Sequence, residues 1–165
     1  MIVFDASTLI LLAKIEILRE ILVEMNAVIP AVIEDEATRQ TNRLDAQLIR
    51  RCIQEGIIRV RASKGIKKAD LAKLMHDFHL AEGEATALLL AQRQGAWLAT
   101  DDGPAIKACK IFGVPFVTAV NLLVYAAQKG WIPKNAAFVK LESLSRVGRY
   151  EIRIIENARE KIQGG

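Results

Sequence analysis

The chain opens with a short apolar run that ends at an acid: residues 1–10 read MIVFDASTLI. The run from Met1 to Phe4 is typical of a buried strand, and Asp5 stands where that strand ends. Ser7 and Thr8 are residue types that cap helices, and apolar residues at helical spacing follow them as far as Ile21. The stretch therefore predicts a strand, an acid at its carboxyl end and a helix capped by Ser7 or Thr8.

The same unit of strand and helix recurs along the chain. Predicted strands cover residues 1–4, 27–29, 57–60, 96–99 and 115–118, and predicted helices cover 30–39, 44–55, 69–78, 83–94, 104–112 and 119–128. Short apolar strands that alternate with helices are typical of a parallel sheet buried on both faces. We expect a three-layer α/β/α fold with a mostly parallel five-stranded sheet over residues 1–130. Residues 131–165 are expected to form a helical C-terminal extension packed on the same domain.

Composition limits the class of protein. The chain has 165 residues, of which 52% are hydrophobic and 25% charged, so one compact domain is expected and a largely disordered chain is excluded. Its apolar runs fall well short of the roughly 20 residues that cross a bilayer, so no membrane association is expected. The first residues lack the basic segment of a signal peptide. Cys52 and Cys109 are too few for a disulfide framework, which favours a cytoplasmic location.

The net charge of +4 is unevenly distributed. The segment from Arg59 to Lys73 holds six basic residues and one acid, and residues 131–165 hold seven basic and four acidic residues. The rest of the chain is therefore acidic overall. An acidic body with basic flanks would suit a metal site beside a track for a polyanion, although solvated surface lysines explain either segment equally well.

Four acids are expected at one edge of the sheet. Asp5 follows the first strand, and Asp101 and Asp102 follow the fourth. Glu36 shares a helical stripe with Val32 and Ile33, so it is predicted to point inward, whereas Glu34 and Asp35 are predicted to be solvated. Glu84 lies near the start of a helix whose neighbouring positions are apolar. In open α/β sheets, sites lie outside the carboxyl ends of the strands.

Each of these acids alone has an ordinary structural explanation as a helix cap, a dipole partner or a salt bridge. Together they would repel one another and raise one another's pKa values unless a divalent cation lay among them. Oxygen ligands without a cluster of cysteine or histidine favour Mg²⁺ or Mn²⁺. Such ions can generate hydroxide and stabilise the leaving oxygen of a phosphodiester, so metal-assisted hydrolysis of nucleic acid is the expected reaction.

Four motifs of the chain resemble those of the PIN-domain ribonucleases. They are VFDASTLI (3–10), IPAVIEDE (29–36), GEATAL (83–88) and ATDD (99–102), in the order found in that family. The VapC-type toxins of prokaryotic toxin–antitoxin pairs belong to the same family. The resemblance covers about residues 2–130, and the helical extension is similar to that of a PIN-like subgroup.

The resemblance implies an endoribonuclease that depends on Mg²⁺ or Mn²⁺. It places the four acids at Asp5, Glu36, Glu84 and Asp102, with Asp5, Glu84 and Asp102 as metal ligands. It also implies a small antitoxin protein and a homodimer as partners. The apolar residues Leu18, Ile21 and Leu22 are candidates for the dimer interface, unless they belong to the core. The supporting residues are Ser7, Thr100 and Asp101, where Asp101 and Asp102 remain alternatives for the last ligand. The residues expected to contact RNA are Lys64, Lys67, Lys68 and Lys107.

Two alternatives remain open at the level of sequence. A PIN-like fold could hold RNA through the basic segment without cleaving it. A structure-specific DNA nuclease of the wider class would cut flaps in preference to single-stranded RNA, although the chain is short for that class.

Overall fold

The computed structural model describes residues 1–165, and its centre is a five-stranded parallel sheet. The strands are β1 (Ile2–Phe4), β2 (Ala27–Pro30), β3 (Ile58–Arg61), β4 (Trp97–Ala99) and β5 (Phe116–Val117), in the order β3-β2-β1-β4-β5. Ile2 pairs with Ala27 on one side and with Trp97 on the other. Every pairing is parallel, so the carboxyl ends of all five strands lie at one edge of the sheet.

Ten helices cover the two faces of this sheet, which confirms the predicted three-layer α/β/α fold with a helical C-terminus. They are α1 (Ala6–Lys14), α2 (Leu18–Leu22), α3 (Ala31–Thr38), α4 (Leu44–Gln54), α5 (Lys68–Phe78), α6 (Glu82–Gln94), α7 (Gly103–Phe112), α8 (Ala119–Gln128), α9 (Lys134–Val147) and α10 (Ile152–Gly164).

Alternation along the strands divides the core in two. Successive side chains of a strand point to opposite faces. Phe4 and Ile29 belong to a cluster of 31 buried residues, which also includes the buried faces of α1, α8, α9 and α10. Val3 and Val28 belong to a second cluster of 15 buried residues with α5, α6 and α7. The two C-terminal helices therefore contribute to the larger core, through residues such as Leu141 and Ile162.

The first predicted helix is wrong in its length and in its cap. The helix breaks after Lys14, because Glu16 adopts a positive φ of 58° and turns the chain before α2 begins. The turn leaves both Ile15 and Ile17 buried. The N-cap of α1 is Asp5, whose side chain accepts the Thr8 backbone N–H, rather than Ser7 or Thr8.

Several surface expectations are also decided by the fold. Leu18, Ile21 and Leu22 are buried in the larger core, so they are not available as a dimer interface. None of the ten helices combines the length and the apolar character that a bilayer crossing requires. Cys52 and Cys109 are buried free thiols.

Candidate active site

Asp5 is the most buried acid at the carboxyl edge of the sheet, with 1% of its surface exposed. Its strand runs beside β4, and its backbone N–H donates to the Ala99 carbonyl at 3.0 Å. The Ser7 hydroxyl lies 2.9 Å from both carboxylate oxygens, and the Thr8 N–H donates to Oδ1 at 2.9 Å. The hydroxyl of Thr100, which follows β4, donates to Oδ2. Asp5 is thus held by donors from two neighbouring strand ends.

Burial raises the free energy of the ionised form of Asp5 relative to its neutral form. Desolvation raises its pKa to about 7, against the opposing effect of the hydrogen bonds from Thr100, Thr8 and Ser7. The negative charge of Asp101 adds to the rise. No lysine, arginine or histidine forms an ion pair with Asp5. Near neutral pH the carboxyl group is therefore poised between its two protonation states.

Asp101 and Asp102 are adjacent in sequence but have different surroundings. Asp102 is the N-cap of α7, where Oδ2 accepts the Ala105 N–H at 2.8 Å and Oδ1 has no partner. Its own N–H donates to the Thr100 hydroxyl at 3.2 Å, which links it to the Asp5 cluster. The free oxygen and the partial exposure of Asp102 leave it able to take a further ligand.

Asp101 accepts hydrogen bonds from three separate parts of the chain. The Thr8 hydroxyl in α1 donates to Oδ2 at 2.7 Å, and the Ala119 N–H at the start of α8 donates to the same oxygen at 3.0 Å. The hydroxyl of Tyr150, in the linker between α9 and α10, donates to Oδ1. Burial raises the pKa of Asp101 above its ordinary value. With both oxygens occupied by protein donors, Asp101 acts as a structural clamp, and Asp102 is the better candidate ligand.

Glu84 lies in the first turn of α6 at the rim of the same edge. Its Oε2 accepts the Ala81 N–H at 2.8 Å, and its Oε1 has no partner. Partial burial raises the pKa of Glu84, against the lowering effect of the Ala81 N–H. The charges of Asp102 and Glu36 add to the rise. Asp102 and Glu36 are therefore close enough to Glu84 for their charges to affect its ionisation.

Glu36 lies beside Gly83, but it is not buried as the helical stripe predicted. Its side chain is exposed, whereas Glu34 is half-buried. Ile33 and Ala37 form the buried face of α3, and Glu36 falls on its flank, at the opening between α3 and α6. A Cβ atom at Gly83 would lie only 2.6 Å from Glu36 Oε2 and 2.7 Å from Ile33 Cδ1. The approach of the Glu36 carboxylate to α6 therefore depends on glycine at residue 83.

The five acids of this edge form no ion pair with any basic side chain: Asp5, Glu36, Glu84, Asp101 and Asp102. No three of them lie close enough in this conformation to share a single ion. The donor set itself consists of carboxylate and hydroxyl oxygens, which suits a hard divalent cation. Glu84, Asp102 and Glu36 each keep at least one carboxylate oxygen without a hydrogen-bond partner. The residues thus fit such a cation in their chemistry, and closing around it requires their side chains to move.

The four lysines expected to contact RNA are exposed. Lys64 lies in the loop between β3 and α5, and Lys67 and Lys68 lie at the start of α5. Lys107 is in α7, the helix that begins beside Asp102. None of the four is in an ion pair.

Comparison with known families agrees with this arrangement. A family model described as a PIN domain matches residues 1–163. The chain belongs to the PIN-domain family. No curated protein and no solved structure is significantly similar to it. The match to the PIN domain includes α9 and all but the last residue of α10, so the part of the helical extension that carries Tyr150 falls within the family model. PIN domains are nuclease-type folds, and this one carries its acids at the edge where α/β sheets place their sites.

Two features of this PIN domain could not be found by sequence reasoning. Tyr150 is a single tyrosine in a short linker, about 50 residues from the aspartate that it contacts, and nothing in its neighbourhood marks it. The close approach of Glu36 to Gly83 requires the packing of α3 against α6, which no local pattern specifies.

Replacing Tyr150 with phenylalanine tests the clamp on Asp101. The Tyr150→Phe variant should lower the free energy of unfolding by roughly 1.5–3 kcal/mol, the usual contribution of a hydrogen bond to a charged group. Urea denaturation measures this loss. Tyr125→Phe is the matched control, because Tyr125 is exposed and makes no side-chain hydrogen bond. Equal stability of the two variants would contradict the clamp.

Proposed function

We propose that this PIN domain is an endoribonuclease that hydrolyses RNA phosphodiester bonds with Mg²⁺ or Mn²⁺. The observation that carries the proposal is the gathering of five acids at the carboxyl edge of a parallel sheet, none of them paired with a basic residue. Like charges in one place are unfavourable without a compensating cation. The family membership supports a nuclease, and the donor chemistry supports the choice of ion.

The proposed metal ligands are Asp5, Glu84 and Asp102. Glu84 and Asp102 each accept a backbone N–H at a helix N-terminus with one carboxylate oxygen, and the other oxygen has no hydrogen-bond partner. Both oxygens of Asp5 already accept hydrogen bonds, so a cation could reach this carboxylate only if the Ser7 and Thr100 hydroxyl groups turned away from it. A bound divalent cation supplies hydroxide at neutral pH and stabilises the leaving oxygen of the phosphodiester.

The remaining residues have supporting roles in this proposal. Ser7 and Thr100 orient the Asp5 carboxylate through their hydroxyl groups. Glu36, exposed and without a hydrogen-bond partner, is the carboxylate that can accept a proton from the attacking water. Asp101 connects α1, α8 and the linker between α9 and α10 through its hydrogen bonds.

RNA is the proposed substrate because exposed lysines without ion-pair partners lie in the segment of residues 64–68 and in α7, the helix that begins beside Asp102. Lys64, Lys67 and Lys68 are proposed to contact backbone phosphates, and Lys107 is proposed to contact a phosphate near the scissile bond. Such contacts position a nucleic acid without reading its sequence. A role as the toxin of a toxin–antitoxin pair, with a small antitoxin and a homodimeric state, is the finer part of the proposal. It rests on the resemblance to the VapC-type toxins.

The test is incubation of the purified protein with labelled single-stranded RNA in Mg²⁺, Mn²⁺ or EDTA. Cleavage in either metal and none in EDTA is expected. A flap DNA of the same strand sequence is the second substrate, and preferential cutting of the flap would overturn the choice of RNA. RNA that is bound but intact in both metals would favour a binding module without activity.

A further inference from the structure

A small cavity of about 280 Å³ lies beneath the loop of residues 62–67 and the last turn of α6, on the face of the sheet that holds Val3 and Val28. Three cationic side chains line it: Arg61 at the end of β3, Lys64 in the loop and Arg93 in α6. No acidic residue lines it. None of the three cations forms an ion pair elsewhere. The cavity therefore concentrates positive charge that the protein itself does not neutralise.

The concave shape of the cavity increases the positive electrostatic potential inside it. Concave sites lined by charges of one sign focus the electrostatic field, because their protein walls screen it less than open solvent does. The Ser63 hydroxyl and the Gln94 amide also line the cavity and can donate hydrogen bonds to an anion. Arg61 and Lys64 are close together in sequence, whereas Arg93 comes from α6 and reaches them only when α6 packs on the sheet.

Gly65 lies close to the Arg93 guanidinium. A Cβ atom at residue 65 would lie 3.0 Å from a guanidinium nitrogen of Arg93, and the residue has a positive φ of 83°. Both features favour glycine, so the loop backbone can pack directly against the guanidinium.

We propose that this cavity binds a phosphate group. The planar fork of an arginine matches phosphate with two parallel hydrogen bonds, and lysine adds a compact charge. Arg93 is nine residues from Glu84 on α6, which places it about 13 Å away along the helix axis. The Arg93 end of the cavity is thus distant from Glu84, while Arg61 lies at the carboxyl end of β3. The phosphate can belong to a bound RNA, at a distance from the scissile bond, and this version of the proposal rests on the proposed function. It can instead belong to a small phosphorylated molecule, and that version is independent of the proposed function.

Binding measurements with Arg61→Gln and Arg93→Gln test the proposal. Fluorescence anisotropy with labelled single-stranded RNA in EDTA records affinity without cleavage, at several salt concentrations. Calorimetry with adenosine monophosphate and with inorganic phosphate records the binding of small molecules. Arg153→Gln is the matched control, because Arg153 is exposed on α10, forms no ion pair and lies outside the cavity. Arg61 and Arg93 are also exposed, so their substitution should leave the fold intact.

Two results support the proposal and identify the source of the phosphate. If RNA carries it, each cavity variant should weaken RNA binding about tenfold, the equivalent of one charged hydrogen bond. The dependence of log affinity on log salt should then fall by about 0.7 per variant, while Arg153→Gln behaves like the wild type. If a small molecule carries it, the wild type should bind adenosine monophosphate or inorganic phosphate, and the cavity variants should lose that binding.

The proposal is overturned if the cavity variants match Arg153→Gln in RNA affinity, salt dependence and binding of both small molecules. This outcome is distinct from failure of the proposed nuclease. A protein that binds phosphate in EDTA, with the expected loss in the variants, and leaves RNA intact in Mn²⁺ would retain the cavity and lose the ribonuclease.

Discussion

The Asp102→Asn variant is expected to cleave RNA at least about 100-fold more slowly in Mn²⁺. Mutation of residues that only hydrogen-bond to metal ligands already lowers metal affinity or activity by 10- to 100-fold. Its stability should change by less than about 1 kcal/mol, since asparagine caps a helix nearly as well as aspartate. The Asp102 side chain accepts the Ala105 N–H, and the asparagine carbonyl can accept the same bond. Single-turnover cleavage and urea denaturation measure the two effects.

Asp35→Asn is the matched control for this prediction. It removes the same charge from an exposed residue beside Glu36, and it should leave cleavage and stability unchanged. If both variants cleave RNA at the wild-type rate, Asp102 is not a ligand. If Asp102→Asn unfolds the protein, the loss of activity carries no information about the metal.

The Asp5→Asn variant is expected to abolish cleavage and to stabilise the metal-free protein at neutral pH. The hydroxyl groups of Ser7 and Thr100 can rotate to accept hydrogen bonds from the asparagine amide, so the cluster can stay intact. The substitution removes a buried charge that no basic residue neutralises. We expect a gain of about 2–4 kcal/mol in the free energy of unfolding at pH 8.

The direction of this effect with pH follows from the raised pKa. The folded protein holds the Asp5 proton up to about pH 7, whereas the unfolded chain releases it near the ordinary aspartate pKa of 3.8. Between these values the native state binds more protons, so the contribution of Asp5 to stability falls as the pH rises and then stays constant above about pH 8. Asp5→Asn should lack this slope. Unfolding curves in EDTA at pH 5 and pH 8 compare the two proteins.

An equal change in stability at both pH values would contradict the assigned environment of Asp5.

The same proton also competes with a metal ion, because a ligand carboxylate must be ionised. The apparent affinity for Mn²⁺ should therefore weaken as the pH falls below about 7. Stabilisation by a function-impairing change at a buried acid is typical of an active site that is strained by its own charge.

Much of the fold could be predicted because its signals are local. Apolar strands of three or four residues, separated by helices with Gly or Pro at their ends, predict a parallel sheet without any tertiary information. The positions of Asp5 and Asp102 follow from the same pattern, since Asp5 directly follows β1 and Asp102 lies between the end of β4 and the start of α7. The break at Glu16 could not be predicted, because the apolar spacing continues through the turn and only the backbone conformation reveals it.

Contacts between distant segments were the part that local patterns could not supply. The choice between Asp101 and Asp102 depends on Tyr150 and Ala119, which approach only when the sheet has formed. The exposure of Glu36 depends on how α3 meets α6, and a helical wheel assigns a direction but not a neighbour. The cavity likewise brings Arg93 of α6 beside Arg61 and Lys64 of the basic segment, a contact that no local pattern predicts.

The most direct test of the central claim, that these acids hold a divalent cation, is a calorimetric titration of Mn²⁺ into the wild-type protein in a phosphate-free buffer at pH 8. The wild type and Asp35→Asn should show saturable binding, and Asp5→Asn and Asp102→Asn should lose it. The same saturable heat in all four proteins, or none in the wild type, would contradict a metal site at the carboxyl edge of this sheet.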